Sequence, residues 1–230
     1  MKLLTIDTST NTCSVALSCD GRLVGEYLLE MQRTLSERLL AGVELLLEGA
    51  GMDVKELDGF GVALGPGSFT GLRIGIATVK GLALSTGKPV AGFSSLAMLA
   101  QNLPWAEFPV CPMFDARKKE IYTALYRCCE VPKPVIPDCV LSPELFLDRL
   151  DGPVIFVGDG AIRYREIIES RLGDRALFAP ASATQPRASA GAVLAEAGFA
   201  RGRAVLPGAL APLYIRPSEA ELARLQRETP

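Results

Sequence analysis

The sequence predicts an α/β protein of two lobes, and three observations predict it. Strand-like runs at residues 2–7, 12–18 and 23–29 are followed by a helix, a strand and a second helix. Residues 102–109, with Pro104 and Pro109, then interrupt the pattern as a boundary would. Beyond them the chain starts again with strand-like runs at 110–114 and 121–126, so the second half restates the first loosely, without a sequence repeat or a low-complexity tract. The expected division is a first lobe over 1–105 and a smaller second lobe over 106–216, with a polar final helix over 217–230 packing back on the first.

The elements follow in order. Residues 2–7 are mostly apolar and end on an acid, 12–18 are rich in β-branched residues, and Asp20-Gly21 is a hairpin signal leading into 23–29. Thr34 and Glu37 have capping-box spacing, and Leu39, Val43, Leu46, Leu47 and Ala50 then recur at helical period until Gly49 and Gly51 end the helix. A strand is expected over 58–64, a turn at Gly65-Pro66-Gly67 and a helix over 70–85 that Gly87-Lys88-Pro89 stops. A short strand at 90–93 precedes a helix capped by Ser94 and ending near Asn102. In the second lobe Pro132, Pro134 and Pro137 predict a loop, Ser142 caps a helix over 143–150, 154–157 reads as a strand, and helices are expected over 162–172 and 189–200.

Composition narrows the function. The chain has 230 residues, 49% of them apolar and 22% charged, enough for a sizeable core. A net charge of −2 argues against a protein that grips nucleic acid by itself, because phosphate binding needs clustered Lys and Arg. The chain contains no histidine, which removes Ser-His-Asp and Cys-His catalysis as normally built and His-based zinc sites. Its six cysteines form no CxxC pair and read as reduced packing thiols, and no metal site is expected. Residues 1–7 lack the apolar core of a signal peptide and no run approaches membrane-spanning length, so a cytoplasmic protein without membrane contact is expected.

Several constellations could carry chemistry. Asp7, Thr8 and Ser9, with Thr10, end the first strand and could face a phosphate or a magnesium-bound water, or could simply form a hydroxyl-rich turn. Gly65, Gly67 and Ser68 lead from strand to helix, where free N–H groups favour anions, although the spacing matches neither a P-loop nor GxGxxG. Gly71, Gly75 and Gly81 lie inside the following helix, each costing about 1 kcal/mol against alanine. Gly71 and Gly75 make a flat groove, either for the chain's own sheet or for a partner helix. Asp115-Ala116-Arg117-Lys118-Lys119-Glu120 reads as a solvated turn, and Gly158-Asp159-Gly160 either as a structural turn or as one that faces a nucleotide.

Four blocks together resemble one family. Leu4-Thr5-Ile6-Asp7-Thr8-Ser9-Thr10 with Cys13-Ser14-Val15-Ala16-Leu17, then the run from Gly65 to Gly75, then Asp115-Ala116-Arg117 with Glu120 and Tyr122, and finally Pro212-Leu213-Tyr214-Ile215-Arg216 come in the order found in the TsaB (YeaZ) family. The resemblance implies two ribonuclease-H-like lobes of the actin/hsp70/sugar-kinase superfamily, the second reduced. It implies a non-catalytic subunit, a paralogue of TsaD, that pairs with that catalytic subunit and works with the ATPase TsaE. The complex transfers threonylcarbamoyl to N6 of the adenosine beside the anticodon of tRNAs reading ANN codons, so tRNA is met through the complex. The pairing surface is implied to lie on the first two helices, here Leu39, Val43, Leu46, Leu47, Gly71, Arg73, Gly75 and Thr78. No cofactor is required. A weak ATP or ADP site at the subunit junction and a homodimer of the lone chain remain open. TsaD-type subunits hold a metal with histidines on the first long helix, which has none here, and Leu35 stands where many relatives carry a histidine. Two alternatives stay open: a small-molecule kinase or ATPase of the same fold using Asp7, and a glycoprotease-like peptidase, for which no histidine is available.

Overall fold

The structure, a computed structural model, describes residues 1–30 and 35–216. The helix expected over 217–230 and the Thr34 cap lie outside the described residues.

Two five-stranded sheets share one plan. In the first, β1 (Lys2–Asp7) is central, antiparallel β2 (Thr12–Cys19) and β3 (Arg22–Glu30) extend one side, and parallel β4 (Gly59–Gly65) and β5 (Val90–Ser94) extend the other. In the second, β6 (Val110–Asp115) is central, β7 (Ile121–Arg127) and β8 (Lys133–Leu141) run antiparallel to one side, and β9 (Val154–Val157) and β10 (Ala176–Phe178) run parallel to the other. The second sheet thus repeats the first strand for strand, which the sequence shows only loosely.

Layers of helices cover both sheets. α1 (Leu35–Gly49) and α2 (Phe69–Thr86) place Leu39, Val43, Leu47, Leu72, Ile76 and Val79 on one face of the first sheet, against Leu4, Ile6, Val15, Phe60 and Val62. Because side chains alternate along a strand, Leu3 of β1 points to the other face with Ala63, Ala91 and Phe93. That face is closed by α7 (Ala188–Ala200), which the chain reaches only after leaving the second sheet. Reciprocally, α3 (Ser95–Ala100), the last element of the first lobe, lays Leu96, Leu99 and Ala100 on the second sheet against Val110, Phe114 and Tyr126. The opposite face of that sheet carries α4 (Pro143–Leu147), α5 (Asp159–Arg163) and α6 (Arg165–Leu172).

The N-terminus of α7 has no side-chain cap of its own. The first lobe supplies one: Ser14 Oγ accepts from Ala188 N at 2.8 Å, and Glu26 accepts from Ser189 N at 2.9 Å and from Arg187 at 2.5 Å.

Two expectations about elements are corrected, and one strand is added to them. The loop expected at Pro132, Pro134 and Pro137 falls largely in β8, and Pro134 and Pro137 are tolerated because β8 is an edge strand with no ladder to donate to on its outer side. The single helix expected over 162–172 is two helices, broken where Tyr164 leaves helical geometry. β10 has only three residues and carries no legible period.

Candidate functional site in the cleft between the sheets

Both central strands end at the same cleft. It has a volume of about 640 Å³ and is lined from the first lobe by Ser9, Thr10, Asn11, Gly67, Ser68, Phe69 and Arg73, and from the second by Phe114 to Lys118, Tyr122 and Asp159. Tyr214 and Arg216 of the C-terminal stretch complete it. Motifs that are far apart in the chain, among them the turns at 115–120 and 158–160, therefore meet in one place.

The first-lobe wall is built by close backbone approach. Ser9 O accepts from Ser68 N at 2.7 Å, and a Cβ on Gly67 would overlap that same carbonyl, so the strand-to-helix turn needs glycine there. Ser68 then caps α2 by accepting from Gly71 N at 3.3 Å.

Asp7 lies beneath this wall, fully buried and outside the lining. Its Oδ1 accepts from Ser9 N at 3.0 Å, while Oδ2 and the Ser9 hydroxyl have no partner of good geometry. Burial pushes the Asp7 carboxyl up to about 6, with the hydrogen bonds from Ser9 opposing the shift.

On the second-lobe side the carboxylates are engaged in holding the backbone. Asp159 Oδ1 accepts from Gly160 N at 2.9 Å and Asp115 N at 3.3 Å, and burial raises its pKa above the ordinary carboxylate value. Asp115 accepts from Arg117 N at 3.0 Å and pairs with the Arg117 and Arg163 guanidiniums at 3.3 and 3.5 Å.

The C-terminal stretch straps the lobes together. Leu213 N donates to Leu64 O at 2.7 Å in the first lobe, and Arg216 donates to Ala116 O at 3.1 Å and pairs with Glu120 at 3.2 Å in the second. Between them the Tyr214 ring stacks on Phe69 with centroids 4.9 Å apart, and Arg73 lies 3.8 Å over Phe69 while donating to Tyr214 Oη at 3.0 Å. Chemically the cleft offers cations, aromatic faces and the first turn of α2, features that suit an anionic or nucleoside-like group.

Of the residues expected to face a phosphate, Ser9, Gly67 and Ser68 line the cleft. Asp7 and Thr8 lie behind it, and the space beside Gly65 is filled by the Leu213 carbonyl 2.7 Å from where a Cβ would sit. Of the residues expected on a partner surface, Leu39, Val43 and Leu47 are buried in the first-lobe core, Leu46 is half-buried against it and Thr78 is half-buried. Gly71 and Gly75 are buried too: a Cβ on either would overlap Thr8 of the same chain, so their groove is internal. Arg73 is exposed and belongs to the cleft rim. The sequence reading missed Phe69, Tyr122, Tyr214 and Arg216 as cleft residues, although all four stand in the quoted blocks.

Among the described residues no cluster of His, Cys, Asp and Glu side chains is arranged to hold a metal ion, and no helix is long and apolar enough to cross a membrane.

Comparison with known proteins gives a consistent picture. Residues 29–224 match the family model described as "TsaD: tRNA N6-adenosine threonylcarbamoyltransferase". The chain is 35% identical over 225 residues to "tRNA threonylcarbamoyladenosine biosynthesis protein TsaB" of Bacillus subtilis (strain 168), covering 96% of each chain. The solved structure "YeaZ from Pseudomonas aeruginosa" is similar with a TM-score of 0.80 and 34% identity, over 93% of this chain and 99% of that one. A ROK hexokinase from Thermus thermophilus shares the fold alone, with a TM-score of 0.50 at 14% identity over 87% of this chain and 100% of that one. With the matching strand orders, these likenesses make the fold that of two ribonuclease-H-like lobes of the actin/hsp70/sugar-kinase superfamily.

Proposed function

The chain belongs to the TsaB (YeaZ) family, and from that membership we propose that it serves tRNA threonylcarbamoyladenosine biosynthesis as a non-catalytic subunit. Its role is to hold a TsaD-type catalytic subunit in its active arrangement, with a TsaE-type ATPase as the further partner and the cytoplasm as the place of action. It requires no cofactor, and any ATP or ADP at the subunit junction binds weakly.

The observation that carries this reading is a set of exposed apolar residues on α1 and α2. Leu40 and Leu45 of α1 are 49% and 60% exposed and Leu84 of α2 is 69% exposed, on helices whose other sides are in the core. Ala77 and Gly81 are exposed on the same face of α2 as Leu84, and Gly81 has open space beside it. A glycine inside an exposed helix turn is unfavourable by about 1 kcal/mol unless something approaches closely. The pairing surface therefore comprises Leu40, Leu45, Ala77, Gly81 and Leu84, and the lone chain pairs with its own copy through the same face. The cleft supports the non-catalytic part of the reading: Asp7 is sealed under the wall, and Asp115 and Asp159 are occupied by backbone and arginine partners.

The test is reconstitution. Threonylcarbamoyladenosine should form when the TsaD-type and TsaE-type subunits, tRNA and the threonylcarbamoyl donor are combined with this chain, and should be lost when the chain is left out. Turnover by the purified chain alone, or steady ATP hydrolysis by it, would refute the reading and favour an enzyme of the same fold.

A further inference from the structure

The turn between β6 and β7 has a backbone that its sequence does not favour. Arg117, Lys118 and Lys119 have φ of +63°, +52° and +62°, three consecutive left-handed residues. The only other described non-glycine residues with positive φ are Asp20 and Trp105. Positions of this kind are ordinarily filled by Gly, Asn or Asp, whose side chains tolerate them. Here all three carry long cationic side chains, and all three are exposed. The turn is closed by Ala116 N donating to Glu120 O at 3.0 Å and Glu120 N to Arg117 O at 2.9 Å.

The surroundings add to the charge. Arg163 of α5, 58% exposed, shares Asp115 with Arg117, and Arg216 reaches the same turn from the strap. Among the described residues, Arg117, Lys118, Lys119, Arg163 and Arg216 gather here with Asp115, Glu120 and Asp159, in a chain whose net charge is −2. Of the acids, Asp115 is only 7% exposed, Asp159 is held by backbone N–H groups and Glu120 is paired with Arg216, while Arg117, Lys118, Lys119 and Arg163 are exposed. Aromatic faces lie alongside: Tyr122, Tyr214 and Phe69 line the same cleft, the last with a guanidinium laid on its ring. An acidic peptide would need the cations alone. Cations interleaved with aromatic and guanidinium planes match a strand of RNA, with phosphates at the rim and unstacked bases beside it.

We propose that the Arg117–Lys119 turn, with Arg163 beside it, is the element of this chain that takes RNA phosphates, the substrate tRNA running across the mouth of the cleft. This rests on the role in tRNA modification given above and names the contact that role requires. A handful of cations on an otherwise balanced surface gives weak binding by the lone chain and a useful increment within a complex.

The experiment uses the complex of this chain with its TsaD-type partner. Retention of unmodified tRNA on filters is measured across a series of salt concentrations. The variant is Arg117→Asn/Lys118→Asn/Lys119→Asn, in which asparagine keeps the left-handed turn while removing charge. Lys55→Asn, an exposed cation outside the cleft lining, is the control. Each lost phosphate contact lowers the slope of log K against log salt by about 0.7–0.9, so the triple variant should lose about 2 from the slope. Its Kd for tRNA should rise roughly tenfold or more near physiological salt. Gel filtration should show subunit pairing unchanged, and the control should behave as the wild type. An unchanged slope and Kd in a wild-type complex that binds and modifies tRNA overturns this proposal and leaves the role intact. A variant that keeps its RNA affinity but loses its protein partner overturns it too, in favour of a protein contact. A wild-type complex that retains no tRNA overturns both.

Discussion

Replacing Gly75 with alanine should destabilise the chain, and the structure says by how much and through which atom. The added Cβ would overlap the Thr8 hydroxyl, while Thr8 Cβ lies an ordinary 3.5 Å away. That hydroxyl donates to Gly71 O at 2.8 Å in a buried setting. To admit the methyl, Thr8 must turn and give up the bond, a loss of about 1 kcal/mol, and the crowding adds about 1–3 kcal/mol. Alanine's better helix propensity returns about 1 kcal/mol. The net expectation is a loss of about 1–3 kcal/mol. Thr8→Ala alone should cost about 1–2 kcal/mol for the lost bond and the small void. In the double variant the clashing oxygen is gone, so the combined loss should fall short of the sum by at least about 1 kcal/mol. Urea unfolding of the four proteins at one temperature gives the cycle. A Gly75→Ala protein as stable as the wild type, or strictly additive losses, would show that Thr8 does not fill the space beside the glycine.

Gly81 is the contrasting glycine. With open space around it, Gly81→Ala should raise the stability of the lone chain by up to about 1 kcal/mol, whereas Gly81→Leu should leave its melting temperature intact and weaken pairing with the TsaD-type subunit about tenfold by calorimetry. For Asp7 the folded carboxyl titrates at about 6 against 3.8 for the free group, so its stability contribution is complete below about pH 3.8 and is lost as pH rises through 6. The Asp7→Asn protein should therefore be more stable than the wild type at pH 8, by up to roughly 3 kcal/mol, and the difference should vanish by pH 4 in parallel melts. Glu26→Ala removes the acceptor that holds Arg187 and the first turn of α7, and should cost about 2 kcal/mol in the same unfolding assay, with the single transition retained.

Much of the first lobe was legible because its signals are local. The Asp20-Gly21 turn, the leucine stripe of α1 and the cap at Ser94 each lie within a few residues of what they specify. The stripe was read correctly as apolar and then assigned to a partner, whereas Leu39, Val43 and Leu47 face the chain's own sheet. A periodic stripe reports that a face is buried and is silent on what buries it, and the leucines that stay exposed on this helix are Leu40 and Leu45. Gly71 and Gly75 misled for the same reason: sequence shows that something comes close, and only coordinates identify it as Thr8. β8 was hidden by its prolines, which mark a loop unless the strand lies at an edge. The cleft was the least legible part. Ser9, Arg117, Asp159 and Tyr214 converge through topology, and within their own turns each looks like ordinary local chemistry.

The exchange of α3 and α7 between the sheets has a consequence in time. A ribosome releases residues 1–105 long before 188–200, yet the apolar face formed by Leu3, Ala63, Ala91 and Phe93, touched within the first lobe by Met98 of α3, is closed by α7. The nascent first half must therefore wait with that face uncovered until the chain is nearly finished, when it is most open to wrong partners. The two halves, alike in plan as they are, cannot be separated by a cut near residue 105 without stripping a layer from each. Two halves of like plan, docked reciprocally, thus form a single unit of folding and of loss.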